Sequence, residues 1–495
     1  MKKFSQLALL IVAVSSCVAQ PSRSKDVKKE TGENSLAAYE KYIDEHNDAH
    51  LKELAELVSF PSISSIPSHK TDIQKAGAWI VNKLKSIGID NAQIMPTDGL
   101  PVVYGSWEKA RGKPTVLIYA HYDVQPIKDS TEWLNAPFTP KIENGKIYGR
   151  GATDDKGGLM IPVWAVETLL NTDKKLPVNV KFVFESEEEI GGGNLHNFLS
   201  RNKELLHADF ALNTDFGQEN DSTPVIFVAA RGSAQMEFIV KTANIDVHSG
   251  RGGTTPNAAR TLSEIITSFY NKDGSIAIKG FYDKVTPLTE KEREMLKKIP
   301  YNASAFMKYS GTTAETGDTN YLPLERQWYR PALEITGIRS GFTGEGFLNI
   351  IPASAMARIN IRSASDQSTK ELIELVEKHI NKICPTEAKV TYTFTTYTNP
   401  VKLPTDTRAY DYLSSVLNKL YGREPLQVAS GATIGALIDM KEQLGIYAYS
   451  LGFGQKDEGQ HASNEFFRLS SIRKGQLVYC YYLEHVGDEE SKLKN

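Results

Sequence analysis

Short apolar runs alternate with longer amphipathic stretches in the first half of the chain. The runs 115–120, 178–184 and 208–213 are rich in β-branched and aromatic residues, which predicts buried strands. The stretches 159–170 and 194–206 between them carry apolar residues at helical spacing. This strand–helix–strand order predicts an α/β fold with a mixed, mostly parallel sheet that is flanked by helices.

The pattern changes near residue 231, where alternation typical of an antiparallel strand begins, and it changes back near residue 403. The elements predicted beyond this point are strands at 235–242, 356–361, 389–396 and 447–451 and helices at 256–270, 369–383, 405–421 and 466–485. We therefore predict a discontinuous catalytic domain, residues 36–230 and 403–490, that carries an inserted α+β unit at 231–402. Within that unit, residues 271–330 are irregular and have no clear pattern.

The N-terminus has the pattern of a targeting segment. A basic start is followed by an apolar run, 7–14, that is too short to span a bilayer and that leads to Cys17. This resembles a bacterial lipoprotein signal at residues 1–17, and an ordinary signal cleaved near Ala19 is the alternative. We expect an exported bacterial protein, periplasmic or membrane-anchored, that touches the membrane only through an N-terminal lipid. The polar segment 18–35 is expected to be a tether.

Composition narrows the possible functions. The chain has 495 residues, enough for two or three domains, and a net charge of −3 that gives no indication of nucleic-acid binding. We expect Cys384 and Cys480 to be free, buried thiols. His46 and His50 have the i, i+4 spacing of a zinc pair, but charged neighbours favour a solvent-exposed helix face.

Metal-binding side chains follow three successive predicted strands. His121 and Asp123 come at the end of the first, Glu188 and Glu189 after the second, and Asp215 after the third. Alone, His121 is compatible with a core histidine, and the acidic run is compatible with a solvated turn. Open α/β sheets bind ligands at the carboxyl ends of their strands, which favours a metal site here. Asp123 is then placed to orient the His121 ring.

Six motifs in order along residues 50–485 resemble one known family. It is the di-zinc metallopeptidase family of carnosinases and other dipeptidases, acetylornithine deacetylase, succinyl-diaminopimelate desuccinylase and aminoacylases. Its carnosinase-like dipeptidase branch is the most similar, because of the run His-Tyr-Asp-Val-Gln-Pro and the sequence Asp-Asp-Lys-Gly. The motifs are His121-x-Asp123, Gly-Arg-Gly-x-x-Asp154-x-Lys-Gly, Glu188-Glu189 before glycines, Asp215 after a strand, His248-Ser249-Gly250, and His461.

The resemblance implies a site for two divalent metal ions. Asp154 is expected to bridge them, with His121 and Asp215 completing one ligand set and Glu189 and His461 completing the other. Zinc suits imidazole and carboxylate ligands best, and manganese or cobalt also fits.

The resemblance also implies the roles of the groups around the metals. Glu188 is expected to act as the general base on a water held between the ions, and Asp123 to orient His121. A cis peptide bond is expected between Asp154 and Asp155.

In the inserted unit, the resemblance implies a ferredoxin-like lid that also forms a homodimer. His248 is expected to reach the partner's active site and stabilise the oxyanion there. Arg362 is expected to bind the substrate carboxylate, and Asn349 to face the substrate. Many relatives carry a Gly-Gly-Ser stretch where this chain has Ser-Gly-Ala-Thr at 430–433, which leaves the specificity open.

The function implied is metal-dependent hydrolysis of an amide bond in dipeptides or short peptides. An N-acyl amino acid deacylase of the same family is the alternative, because both cleave an amide beside a free carboxylate. A non-catalytic binding protein is disfavoured, since every metal position is filled. The glycine runs lack the spacing of nucleotide-binding motifs, which argues against nucleotide binding.

Overall fold

The computed structural model describes residues 24–395 and 397–493. The helices are α1 (Ser24–Val58), α2 (Lys70–Ser86), α3 (Gly157–Thr172), α4 (Leu195–Arg201), α5 (Lys203–Leu206), α6 (Ala258–Thr267), α7 (Glu290–Lys297), α8 (Ala303–Ser310), α9 (Pro323–Tyr329), α10 (Thr369–Ile383), α11 (Arg408–Tyr421), α12 (Gly435–Asp439) and α13 (Leu469–Leu493). The strands are β1 (Gln93–Met95), β2 (Val102–Trp107), β3 (Thr115–His121), β4 (Lys141–Glu143), β5 (Lys146–Tyr148), β6 (Asn179–Glu185), β7 (Phe210–Asn213), β8 (Gly217–Gln218), β9 (Val225–Ala230), β10 (Gly232–Lys241), β11 (Val247–His248), β12 (Ala332–Ser340), β13 (Ile350–Ile351), β14 (Ser354–Ser363), β15 (Lys389–Phe394), β16 (Val401–Lys402), β17 (Leu426–Ser430), β18 (Ala448–Ser450), β19 (Gly454–Gln455) and β20 (Phe466–Arg468).

The main sheet has six strands in the order β1-β2-β6-β3-β7-β18. Strands β6, β3, β7 and β18 are parallel to one another, whereas β2 is antiparallel to both β6 and β1 at one edge. Strand β3 is buried almost throughout, as expected of a central strand covered on both faces. Helices α1, α3 and α13 pack against one another, and α2 packs against β2. The mixed, mostly parallel α/β sheet with flanking helices is therefore confirmed.

A second hydrophobic core lies within the middle part of the chain. The antiparallel sheet β12-β14-β10-β15 packs against α6 and α10. Its buried residues form a cluster separate from that of the main sheet, between Ala234 and Ile380 in the chain. The segment 271–330 is more regular than its sequence indicates, because it contains α7, α8 and α9.

The structure differs from the sequence pattern at both ends of the described chain. Residues 466–468, predicted as the start of the closing helix, form β20 and pair with β5, so α13 begins only at Leu469. Helix α1 begins at Ser24, inside the predicted tether 18–35, and no proline interrupts the sequence from there to Val58. Among the described residues, no helix is both long and apolar enough to cross a bilayer.

The topology brings three strand ends to one edge of the main sheet. Residue His121 of β3 lies opposite Glu185 of β6, and Tyr119 lies opposite Asn213 of β7. Because these strands are parallel, the residues that follow them emerge side by side. The predicted site residues at the ends of β3, β6 and β7 therefore gather at this edge.

Candidate metal centre

The first ligand cluster combines two strand ends with a loop. His121 ends β3, Asp215 follows β7, and Asp154 lies in the turn that precedes α3. His121 Nε2 is 3.1 Å from Asp154 Oδ1 and 3.9 Å from Asp215 Oδ2. Each residue offers one ligand atom, and these atoms lie within 4.8 Å of one another. The peptide bond between Asp154 and Asp155 is cis, as the family resemblance implied.

The second ligand cluster shares Asp154 with the first. His461 Nε2 lies 2.9 Å from Asp154 Oδ2 and 3.2 Å from Glu189 Oε2. The two oxygens of Asp154 thus face different histidines, Oδ1 toward His121 and Oδ2 toward His461. A carboxylate in this position has the geometry of a bridge between two ions.

The electrostatics of the donor set fit divalent cations. Burial and the neighbouring carboxylates of Asp154 and Glu189 raise the pKa of Asp215 to about 7. Burial would also raise the pKa of Asp154, but hydrogen bonds to His121 and His461 outweigh it and hold the pKa below its usual range. Hydrogen bonds to Asp154 and Glu189 raise the pKa of His461 to about 10. Crowded carboxylates in a buried site need positive charge, and imidazole with carboxylate is a ligand set that zinc accepts.

Asp123 connects the first cluster to the acidic segment after β6. It is fully buried, and its carboxylate accepts hydrogen bonds from the backbone N–H groups of Glu188 (3.2 Å) and Glu189 (3.1 Å). Its Oδ1 is also 3.5 Å from His121 Nδ1, whose other near neighbour is the Asp123 carbonyl at 3.1 Å. One side chain therefore positions a histidine and the backbone that carries two glutamates.

Glu188 belongs to neither cluster, although its neighbour Glu189 does. It lies at the start of a short turn between β6 and α4, and it is partly buried. Burial, reinforced by the nearby carboxylate of Asp215, raises the pKa of Glu188. Its carboxylate is thus beside the ligands and free of both sets.

Several residues around the clusters were not found by sequence reasoning. Gln125 Nε2 donates to Glu189 Oε2 at 2.7 Å. Tyr119 donates to Glu185 at 2.6 Å, and Thr214 donates to Asp155 at 2.7 Å. The residues of each pair are at least 59 positions apart. Spacing along the chain therefore could not predict these contacts.

The predicted site residues of the middle part do not enter the clusters. His248 is exposed, and its Nδ1 accepts a hydrogen bond from the Gly250 N–H at 3.0 Å. The Asn349 carbonyl accepts from the Ser249 N–H, which keeps Asn349 beside His248. Arg362, on β14, donates from Nη1 to Thr433 Oγ1 at 3.1 Å. The middle part therefore contacts the 430–433 loop through Arg362.

Known proteins similar to this chain are peptidases. Cys-Gly metallodipeptidase dug1 of Schizosaccharomyces pombe is 27% identical over 463 residues, which cover 90% of this chain and 97% of that protein. The Beta-Ala-His dipeptidase of Rattus norvegicus is 27% identical over 464 residues, with 90% and 94% covered. The crystal structure of an M20 family metallo-carboxypeptidase, Sso-CP2 from Sulfolobus solfataricus, has a TM-score of 0.77 and 30% identity, with 88% and 98% covered.

These relatives correct the expected location of the protein. They are dipeptidases of a yeast and a mammal that match over nine-tenths of the chain, and neither is named as a lipoprotein. The prediction of an exported bacterial lipoprotein is contradicted by this comparison. It depended on a short apolar run behind two lysines, which is a weak pattern, and both 1–17 and Cys17 lie outside the described residues.

A family model supports the motifs over most of the chain. The model described as Peptidase family M20/M25/M40 matches residues 117–485, a range that contains every residue of the two ligand clusters. The similarity to Cys-Gly and Beta-Ala-His dipeptidases confirms the carnosinase-like branch. The chain therefore belongs to Peptidase family M20/M25/M40, and it is a metallopeptidase that hydrolyses peptide bonds.

Proposed function

We propose that the protein is a dipeptidase that uses two metal ions, with Glu188 as its general base. The observation that carries this proposal is the position of Asp154, whose two oxygens face His121 and His461 separately. A site for one ion does not need a carboxylate shared in this way. The dipeptide substrate follows from relatives named as dipeptidases, and a deacylase is not favoured because neither relative carries that name.

The donor set suits zinc best, with manganese or cobalt as alternatives. His121, Asp154 and Asp215 would hold one ion, and Asp154, Glu189 and His461 the other. When bound, the ions would supply Lewis acidity that polarises the scissile carbonyl and acidifies the attacking water. Gln125 and Asp123 act on the ligands, because one bonds Glu189 and the other lies beside His121.

Glu188 accepts the proton of the attacking water and later delivers it to the leaving amine. Two observations support this role. Its carboxylate is in neither ligand cluster, so it is available to move a proton. Its backbone is also held by Asp123, which fixes the start of the turn from which the side chain projects.

We further propose that residues 231–402 form a lid that also makes the protein a homodimer. His248 of one subunit would donate a hydrogen bond to the oxyanion in its partner, and this fits its exposure and its separation from both clusters. Arg362 would bind the substrate carboxylate through a two-pronged contact, with Asn349 nearby. The bond from Arg362 to Thr433 supports this, because it places the guanidinium at the junction of the two units.

A substrate panel tests the proposal directly. Metal-free protein is loaded with zinc, manganese or cobalt and assayed on Cys-Gly, β-Ala-His and matched N-acetyl amino acids. We expect hydrolysis of the dipeptides, little of the acetylated compounds, and none without metal. Faster cleavage of the acetylated compounds would contradict the dipeptidase assignment. Activity in the metal-free protein would contradict the metal-based mechanism.

A further inference from the structure

We propose that Glu465 is a positioning residue that fixes the second ligand cluster without being part of it. The proposal rests on the metal-binding function proposed above. Asp154 and His461 depend on Glu465 for their arrangement, whereas His121 and Asp215 do not, and Glu189 is held by Asp123 and Gln125.

Glu465 is held by four donors from the loop that carries Asp154. Its side chain is fully buried. Oε2 accepts from Arg150 Nη1 at 2.6 Å and from the Gly151 N–H at 2.9 Å. Oε1 accepts from the Thr153 N–H at 3.0 Å and the Asp154 N–H at 3.2 Å. Four donors fill the bonding capacity of a carboxylate, so this side chain fixes the backbone directly at the bridging aspartate.

The same residue belongs to the loop that carries His461, four positions earlier. Arg150 reinforces the connection, since its Nη2 donates to the Ala462 carbonyl at 3.2 Å. The Glu465 carbonyl accepts from the Gly149 N–H at 3.0 Å. The two loops that supply His461 and Asp154 are therefore joined through Glu465 and Arg150.

The His461 loop needs such a support because its backbone is unusual. His461 and Asn464 have φ values of 59° and 65°, in the left-handed region that non-glycine residues seldom adopt. Conformations of this kind persist where surrounding contacts determine them. Asn464 gains contacts with Glu132 and Leu134, and Glu465 supplies the contact on the side of the ligands.

The first cluster has a different support. His121 lies within the ladder of β3 and β6, and Asp215 follows β7 in the same sheet. A change at Glu465 leaves these strand ends in place. Asp154 is shared by both clusters, but only the second also contains His461, whose loop Glu465 joins to the Asp154 loop. Loss of the Glu465 charge is therefore expected to weaken the second metal site more than the first.

The experiment is a zinc titration of metal-free Glu465→Gln protein by calorimetry, with the number of bound ions counted per folded molecule. The wild type is expected to bind two ions. In E465Q the amide NH₂ group faces N–H donors and cannot accept their hydrogen bonds. The variant is expected to keep one zinc-binding step. At the other step the affinity should fall about 10- to 100-fold, which is the usual effect of removing a group that orients a metal ligand.

Glu458→Gln is a matched control. Glu458 is also fully buried in this loop, but its carboxylate bonds the Thr153 hydroxyl, the Gln455 N–H and Arg468 rather than the Asp154 backbone. E458Q is expected to lower the melting temperature and to keep both binding steps. This separates a positioning effect from a general loss of stability.

Two results would overturn the inference. One is an E465Q protein that binds both ions with wild-type affinity, and the other is an equal loss of both steps. If E465Q does not fold, Glu465→Asp serves instead, because it keeps the charge beside Arg150 but is too short for all four donors. A smaller, equally selective loss is then expected, and equal loss of both steps or no loss contradicts the inference. A wild-type protein that binds fewer than two ions would contradict the proposed function, whatever E465Q does.

Discussion

The two hydrophobic cores carry their site residues in different ways. Around the main sheet, ligand atoms lie about as far apart as they would around an ion, for example His461 Nε2 at 2.9 Å from Asp154. In the middle unit, residues 231–402, His248 is exposed, pairs with Ile350 of β13 and accepts a hydrogen bond from Gly250 of its own turn. The two ligand clusters at the main sheet are thus formed within one chain. His248 of the middle unit belongs to neither cluster. If the middle unit binds the substrate as proposed, variants in the two units should differ in whether they lose metal or lose substrate binding.

The largest effect is expected from Glu188→Gln in the main unit. Loss of a general base typically lowers the rate by about 10²- to 10⁴-fold, and both ions should remain because Glu188 is in neither cluster. Activity and bound metal are measured on the same sample. Glu187→Gln is a neighbouring control, since Glu187 accepts a bond from Asn194 instead. If E188Q loses an ion, Glu188 is a ligand and its assigned role is wrong.

His248→Ala tests whether the middle unit acts on a second chain. Removal of one oxyanion donor costs about 10²- to 10³-fold in kcat. H248A and E188Q are each expected to be nearly inactive, and their mixture should recover activity after subunit exchange. Random exchange makes half of the dimers mixed with one complete site each, so about a quarter of the wild-type rate is expected. Exchange shown by mass spectrometry without recovery would mean that His248 does not act on a partner.

Arg362→Met tests substrate binding by the middle unit. A hydrogen bond to a charged group contributes about 1.5–3 kcal/mol, so kcat/KM should fall roughly 10- to 100-fold, mainly through KM. The variant should also lose its discrimination between a dipeptide and its C-terminal amide. Arg358→Met is the control, because Arg358 lies on the same strand and pairs with Glu237. Retained discrimination in R362M would place the carboxylate site elsewhere.

The smallest expected effect is on stability. The pH dependence of the free energy of unfolding should change more when a histidine is replaced in the main core than in the middle core. His50 is 2% exposed and stacks on Trp164 in the main core, and burial lowers its pKa to about 3. Below about pH 6.5, His50 binds a proton in the unfolded chain but not in the folded chain. As the pH is lowered, the free energy of unfolding should therefore fall by at most about 1.4 kcal/mol per pH unit.

Urea unfolding of His50→Gln and wild type between pH 7 and 5 measures this slope. The free energy of unfolding of H50Q should depend less steeply on pH than that of the wild type. The comparison variant is His379→Gln in the middle core, because His379 is only partly buried and bonds Ser268. A larger change of this slope in H379Q than in H50Q would contradict the expectation that the histidine of the main core contributes more to the pH dependence of stability.

Most elements of the main sheet could be predicted from the sequence because they depend on short stretches of the chain. The apolar run of β3 and the carboxylates after β6 and β7 needed only strand ends and a parallel sheet. Long-range contacts account for what was missed. His50 was expected on a solvent-exposed face because its neighbours in sequence are charged, yet helix α3 brings Trp164 over it. Gln125 likewise owes its position to Glu189, 64 residues away.

Residues 466–468 give the same lesson at the other end of the chain. Their apolar character was compatible with a helix, and pairing with β5 makes them a strand. Contacts between residues more than 100 positions apart decided both outcomes, and a short window of sequence shows neither contact.

The position of His461 has a consequence for the order in which the protein is made. At about 5–20 residues per second, roughly 10–50 s separate the synthesis of Asp215 from that of His461. A nascent chain thus possesses the first cluster well before the second. If hydrolysis needs both ions, as proposed, it cannot begin until the segment that follows β18 and carries His461 has been made. Under that proposal, the late synthesis of the His461 loop delays activation of the enzyme.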